Sequence, residues 1–455
     1  MKFIREAHQR FINLAQFVVA VALCTAGPVW AIPAIQTWHT ASGARVLFVQ
    51  NKDLPILDLS IDFPAGSGYD TAEKSGLANL TEHLLRLGAG GMSEDDISRK
   101  LADIGAELSN RFGPDQAGLA MRTLADPSVR KQALDVFTRV LTQPEFPEAV
   151  FKRERGRLIA AIEDADTRPG TIASRTFSQL VYGSHPYGLR GAGEPATLRQ
   201  LSRDDLVNFY RQHYTAKHAV IAIVGDVTLD DAQAIADRIT RGLPAASTQA
   251  PAIPSVADLA AARTRMIPHP ASQAHILIGC PGIARSDPDY FPLLVGNFVL
   301  GGGGFVSRLT NQVRDKRGLA YSIYSYFEPL QRRGPFVIGM QTRKNQVKQA
   351  LTVVRDTLRK FIADGPTAAE VKAAQDNLIG GFPLRIDSNR KILEYLSVIG
   401  FYDLPLTYLD DFRKHIKAVS IAEIKRAFAR HVDPDKLVTV VVGAAPNADK
   451  SPSQK

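Results

Sequence analysis

The sequence predicts an α+β protein built from two homologous domains, each a mixed or antiparallel sheet covered by helices on one face. Three observations carry this. The segment 201–225 aligns without a gap on 419–443, with Leu206 on Ile424, Tyr210 on Phe428, His213 on His431 and Gly225 on Gly443. In both copies a serine-capped amphipathic helix feeds an apolar strand that ends on glycine. Between the copies, 243–257 (LPAASTQAPAIPSVA) is rich in Pro, Ala and Ser and carries no charge, the composition of a linker. Finally, 455 residues that are 45% hydrophobic and 22% charged make an ordinary globular composition, too long for one small core. The expected organisation is a first domain over 35–242, a linker over 243–263, a second domain over 264–446 and a loose polar tail over 447–455.

Residues 1–31 read as a signal peptide. Lys2, Arg5 and Arg10 precede a mostly apolar run over 11–26, and Val29-Trp30-Ala31 ends it in a small-residue cleavage pattern. Asn13 and Gln16 interrupt the run, which favours cleavage over anchoring, and the bulky Leu23 before Cys24 argues against a lipoprotein site. The expected location is therefore periplasmic or secreted, without stable membrane insertion, since no later stretch is long and apolar enough to span a bilayer.

In the first half, strands are expected over 44–50 and 56–63, the second alternating Leu57, Leu59, Ile61 and Phe63 with Asp58, Ser60 and Asp62. Pro64-Ala65-Gly66 breaks it. A helix follows over 75–88, with Leu77, Leu80, Leu84 and Leu87 on a buried face, then one over 93–104 capped by Ser93. Strands over 106–111 and 117–124 precede helices over 127–141, 147–167 and 172–181, a loop over 182–193, a helix over 202–213 and a strand over 219–224. The second half starts again with a strand over 274–279 and a helix over 290–300, which runs into Gly301–Gly304 and a further helical stretch through Val313. Strands near 319–327 and 335–341 lead to helices over 346–362, 368–379, 392–401 and 420–431, and a final strand over 437–442.

The net charge of +9 falls to +7 once the signal's three basic residues and Glu6 are removed. The basic residues are scattered, with no aromatic-interleaved stripe, so a solvated surface is the better reading and no nucleic-acid partner is expected. Cleavage would leave Cys280 alone, which excludes an intrachain disulfide, and no base is positioned to make it a nucleophile.

The helix over 75–88 carries the chemistry. Its SGLANLTEHLLRLG holds Glu82 and His83 in the order of an inverted zinc motif, H-x-x-E-H, in which both histidines bind zinc and the glutamate activates water. Asn79 stands where the leading histidine would be. Gly301–Gly304 lacks the Lys-Ser/Thr of a phosphate loop.

The whole stretch after the signal resembles the insulinase/pitrilysin (inverzincin) family of zinc peptidases in its short, two-domain bacterial form. The resemblance rests on GLANLTEHLL, on YGSHPYG at 182–188 followed by LSRDDL at 201–206, on His213-Tyr214-Thr215, and on 301–322 with its SRL and RDKRGLAYS. It implies that the missing first ligand is Asn79, the catalytic glutamate Glu82 and the second ligand His83. The third ligand, a glutamate seven residues after Glu154, falls on Ala161. With two of three ligands gone, the motif Asn79, Glu82, His83, Ala161 is vestigial and no metal is expected on this chain. Glu163, two residues on, faces away. The resemblance also implies that Arg314 and Tyr321, seven apart, bind substrate and help stabilise the reacting carbonyl. His185 and His213 match structural positions.

The pattern implies a non-catalytic, substrate-binding subunit of an exported heterodimeric zinc peptidase. Zinc is expected in a partner subunit with an intact motif, and this chain would supply the Arg/Tyr pair and bind peptide in extended form. The alternative left open is a zinc-free peptide-binding scaffold, a chaperone-like homodimer in the periplasm.

Overall fold

The computed structural model of the chain describes residues 34–245 and 252–444. The expected signal peptide over 1–31, the centre of the expected linker and the expected tail over 447–455 lie outside the described residues. The first half holds β1 (Gln36–His39), β2 (Arg45–Gln50), β3 (Ile56–Phe63), α1 (Leu77–Leu84), α2 (Glu94–Asp103), β4 (Glu107–Phe112) and β5 (Ala117–Leu124). Then follow α3 (Pro127–Thr142), α4 (Glu148–Ala165), α5 (Pro169–Tyr182), α6 (Pro195–Gln200), α7 (Arg203–His213), β6 (Val220–Gly225) and α8 (Leu229–Thr240). The second half holds β7 (Arg263–Pro268), β8 (Gln273–Pro281), α9 (Tyr290–Asn297), β9 (Ala320–Phe327), β10 (Pro335–Arg343) and α10 (Val347–Asp364). It ends with α11 (Ala368–Gly380), α12 (Asn389–Phe401), α13 (Tyr408–Ala418), α14 (Ile421–His431) and β11 (Val438–Ala444).

Two mixed sheets result, in the orders β1-β2-β6-β3-β5-β4 and β7-β11-β8-β10-β9. In each, one parallel pair (β2 with β6, β7 with β11) continues into antiparallel neighbours. The internal repeat is realised residue for residue. Helices α7 and α14 start and stop at aligned positions, each opened by a capping box, Ser202 with Asp205 and Ser420 with Glu423.

The expectation of helices on one face is incomplete. All of β6 is buried, and Val438 to Val442 of β11 are equally sealed, so these strands need a layer on both sides. The second layer is exchanged between halves. Helix α5 of the first half packs on β8 and β11, and α12 of the second half packs on β2, β3 and β6. The fit is close: a Cβ on Gly279 would lie 2.9 Å from the Phe177 ring, and one on Gly400 would lie 2.5 Å from Val220. Polar ties support the exchange. Ser397 Oγ donates to Asp62 (2.6 Å), and Arg111 reaches Asp62, Ser397 and Glu394.

A buried hub lies where the halves meet. Asp115, 1% exposed, accepts hydrogen bonds from the hydroxyls of Tyr187 and Tyr402 and from the backbone N–H of Gln331 (2.6 Å). The described part of the linker docks beside it: Ile253 is buried with Tyr187 and Leu330, and its carbonyl accepts from Arg332.

Candidate functional site

Helix α1 is shorter than its sequence pattern. Gly76, at φ +94°, is its N-cap, and Asp70 caps it from outside by accepting from Gly76 N (2.8 Å) and Ala78 N (2.9 Å). Burial raises the Asp70 carboxyl to about 7. Ser75, expected as the first helical residue, instead donates its hydroxyl to the Arg190 carbonyl.

The helix divides the vestigial motif. Glu82 points inward and is 2% exposed, while Asn79 and His83 lie half-buried. Asn110 of the outermost strand β4 donates to Glu82 Oε2 at 2.7 Å. Glu82 Oε1 has no partner, and neither does the fully buried Tyr214 hydroxyl, which senses the Glu82 charge. Burial raises Glu82 to about 8, against the opposing pull of Asn110 and Arg86. A carboxyl in this state is mostly protonated at neutral pH and is a poor general base for water outside the helix.

On α4, the Glu154 carboxylate is claimed by cations. Its Oε2 lies 3.2 Å from His83 Nε2, and its Oε1 accepts from Arg153 Nε (2.5 Å) and Arg157 Nη1 (2.9 Å). Burial alone would raise it, but Arg153, His83 and Arg157 together hold it below the usual carboxylate range. Ala161 is exposed, two helical turns beyond. Glu163 is exposed as well and pairs with Arg199 (2.8 Å). The zinc fit fails on these observations. One imidazole remains, an amide and a methyl stand at the other two ligand positions, and two guanidiniums crowd the nearest carboxylate. Among the described residues, the grouping of His and carboxylates whose ligand atoms converge is Asp287, Asp289 and His431, far from α1 in the chain. Arg430 already binds Asp289 there at 2.8 Å.

Arg314 and Tyr321 come together at a different place. Arg314 sits in a π-helical turn, Thr310–Asp315, and Tyr321 lies at the start of β9. The guanidinium carbon is 5.4 Å from the Tyr321 ring centre and 4.6 Å from that of Phe305, so the cation lies over both aromatic rings. Tyr321 is 84% exposed and Phe305 73%. Sequence reasoning missed Phe305, whose signal was an aromatic placed directly after four glycines. No described hydrogen bond or ion pair joins this pair to α1 or α4 within the chain.

The two histidines read as structural have structural surroundings. His213 Nδ1 lies 2.8 Å from the Pro64 carbonyl with its ring stacked on Phe209, and His185 Nε2 lies 3.0 Å from the Pro254 carbonyl. Cys280 is buried, its thiol pushed up to about 12 by burial.

Residues 45–191 match the family described as insulinase (peptidase family M16), and 200–378 match the one described as peptidase M16 inactive domain. An uncharacterized zinc protease of Streptomyces coelicolor is 30% identical over 86% of this chain and 84% of its own length. The chain belongs to peptidase family M16. Within M16, a crystal structure from Pseudomonas fluorescens, titled as a peptidase M16 inactive domain, superposes with a TM-score of 0.86 at 36% identity, covering 90% of this chain and 98% of that one. A protein of Helicobacter pylori named a non-peptidase homolog is 22% identical over 87% of this chain and 91% of its own length. These names agree with the chain's own donor set, in which Asn79 and Ala161 leave two of the three zinc-ligand positions without a ligand.

Proposed function

We propose that this chain is the substrate-binding subunit of an exported heterodimeric M16 zinc peptidase. The partner carries zinc on an intact H-x-x-E-H helix, and this chain completes that site with Arg314 and Tyr321. The observation that carries the reading is the contrast between two places. The α1–α4 site is closed, with Glu82 buried and Glu154 claimed by arginines. In the Arg314–Tyr321 pair, Tyr321 is exposed and the half-buried Arg314 guanidinium lies against both the Tyr321 and Phe305 rings.

The chemistry asked of the pair is modest and well matched. Both groups donate hydrogen bonds and neither needs to lose a proton. Aimed at a peptide carbonyl, the guanidinium and phenol hold the backbone and stabilise charge on that oxygen as it develops. Stacking limits the rotamers open to Arg314, so little side-chain entropy is lost when substrate arrives. Water activation and peptide-bond cleavage belong to the partner.

The test mixes the purified chain with a related chain bearing the intact motif. Cleavage on mixing, lost in Arg314→Ala while the two chains still co-elute, supports the reading. Full activity of the Arg314→Ala complex overturns the role of the pair, and silence on mixing favours the zinc-free peptide-binding homodimer.

A further inference from the structure

Arg285 stands in the loop between β8 and α9 with its charge unpaired. Its backbone N–H donates to the Leu330 carbonyl at 2.7 Å, next to Gln331, whose own N–H goes to Asp115. The loop is thereby tied to the buried hub. The guanidinium lies over two rings. Its carbon is 5.6 Å from the centre of Tyr290, at the start of α9, and 5.5 Å from that of Tyr402, just past the end of α12. A guanidinium carries five N–H donors in a fixed fork. Among the described residues no side-chain hydrogen bond or ion pair engages them. The Nε is buried without a partner, whereas the two Nη groups are not sealed.

The acids that could neutralise this cation are taken. Asp115 lies within reach of its field: burial raises that carboxyl, and its hydrogen-bond donors and the Arg285 charge oppose the rise. Both Asp115 oxygens are already bonded, Oδ1 to the Tyr187 hydroxyl and Oδ2 to Gln331 N and the Tyr402 hydroxyl. In the Arg285 loop itself, Asp289 faces Arg430 at 2.8 Å and His431 at 3.0 Å, and Asp287 lies 3.7 Å from the same imidazole. On α12 and just beyond it, Glu394 pairs with Arg111 and Asp403 with Arg45.

Phenols surround the cation instead. Burial raises Tyr395, Tyr402 and Tyr408, and the Arg285 charge pulls each of them back. Tyr395 is also drawn down by Arg385, an exposed second guanidinium on that side. Arg285, Tyr290, Tyr395 and Tyr402 are each half-buried, so the cluster keeps an open side. Protonated phenols and a guanidinium are all donors, and what they lack is an acceptor. The cluster is remote from the Arg314–Tyr321 pair. Ala320, beside Tyr321, registers through Thr342 with Ala274 at the start of β8, and Arg285 lies past that strand's other end at Pro281. At about 3.3 Å per residue, about 23 Å of strand separates the two levels.

We infer that Arg285 and the phenols around it form a carboxylate-binding site, which takes the carboxylate of a bound peptide at its C-terminus or on an Asp or Glu side chain. A planar carboxylate accepts two parallel hydrogen bonds from one guanidinium, a geometry that the two Nη groups offer. The rings that cover the cation shield it from water, which strengthens its attraction for an anion. This inference rests on the substrate-binding reading above for its peptide, and gives that peptide a second anchor at the far end of β8 from the Arg314–Tyr321 pair.

The experiment uses the full chain without a partner, so it reads binding apart from any catalytic complex. Calorimetry titrates four probes: acetyl-Ala-Ala-Ala-Phe with a free C-terminus, the same peptide as its C-terminal amide, that amide with Glu in place of the second alanine, and inorganic phosphate. The plain amide does not bind, and a peptide bearing a carboxylate does. Binding of the free C-terminus or of the Glu-bearing amide tells which carboxylate is the source. Arg285→Gln weakens that binding by about tenfold or more, and Arg285→Lys weakens it nearly as far, because lysine cannot present the fork. Melting temperatures verify that the variants fold. Should Arg285→Gln fail to fold, Tyr290→Leu keeps the guanidinium and the Asp115 hub and must still weaken binding by about threefold. No binding of either carboxylate, equal binding of the plain amide, tighter binding of phosphate, or binding unchanged in Arg285→Gln overturns the site. Loss of activity in the Arg314→Ala complex with no carboxylate binding here would leave the substrate-binding reading standing while removing this one.

Discussion

Replacing Glu82 with Gln stabilises the protein, and the gain follows a defined pH course. In the folded chain burial moves this carboxyl from an ordinary 4.5 to about 8. The unfolded chain releases its proton near the ordinary value, so folding must rebind that proton or bury a charge. The contribution is neutral below about pH 4.5, becomes increasingly unfavourable as pH rises, and levels off above about pH 8. At about 1.4 kcal/mol per pH unit, the cost at pH 7 is roughly 3 kcal/mol. Glutamine carries no charge to bury. Its oxygen can keep the bond from Asn110, and its amide sits where Oε1 and the Tyr214 hydroxyl lack partners. Allowing about 1–2 kcal/mol for an imperfectly paired amide, E82Q gains roughly 1–2 kcal/mol at pH 7. Urea unfolding at steps from pH 4.5 to pH 8 measures the difference between variant and parent. The difference should widen with pH across that window. A pH-independent difference, or a variant less stable than the parent at pH 8, would refute the buried, protonated carboxyl.

Three further predictions follow from the same geometry. Arg314→Ala in the two-chain complex should lower kcat by about a hundredfold or more, the scale of a lost oxyanion donor, and Tyr321→Phe should lower it less, with co-elution of the chains unchanged in both; steady-state kinetics on a quenched peptide checks this. Asp115→Ala leaves the buried donors Tyr187, Tyr402 and Gln331 N without their acceptor, and should cost about 3 kcal/mol or more, read as a lower urea midpoint. Asn79→His alone should gain no tightly held zinc, because Ala161 leaves the third ligand absent, whereas N79H/A161E completes the set; metal analysis after dialysis separates the two.

Much of the fold was legible because it rests on local pattern. The gap-free alignment of 201–225 on 419–443 became two helix–strand units with matching ends. Strands such as β3, with one residue type per face, were placed correctly for the same reason. The strands missed are β1 and β7, both at sheet margins and largely exposed, where no burial imposes an alternation. Helices α6, α8 and α13 were also missed, although Thr228 with Asp231 forms a capping box that the sequence displays. The exchange of α5 and α12 between halves left no local trace. The spacing of Ala173, Phe177 and Val181 says that one face is buried, not which sheet buries it.

The site divides in the same way. Loss of two zinc ligands was readable from residue types at Asn79 and Ala161. The burial of Glu82 was not, since Asn110 reaches it from β4 through tertiary geometry, whereas Arg153 and Arg157 flank Glu154 on its own helix at a spacing the sequence displays. The Phe305 face of the Arg314 stack depends on a π-helical turn that no periodicity announces.

The central claim is that this chain lacks zinc and serves a partner that has it. Zinc content and peptide cleavage, measured for the purified chain alone and mixed with a zinc-motif relative, test it most directly. The account predicts no zinc and no cleavage by the chain alone, and chelator-sensitive cleavage on mixing that exceeds the partner's own. Stoichiometric zinc with chelator-sensitive cleavage by the lone chain would contradict it.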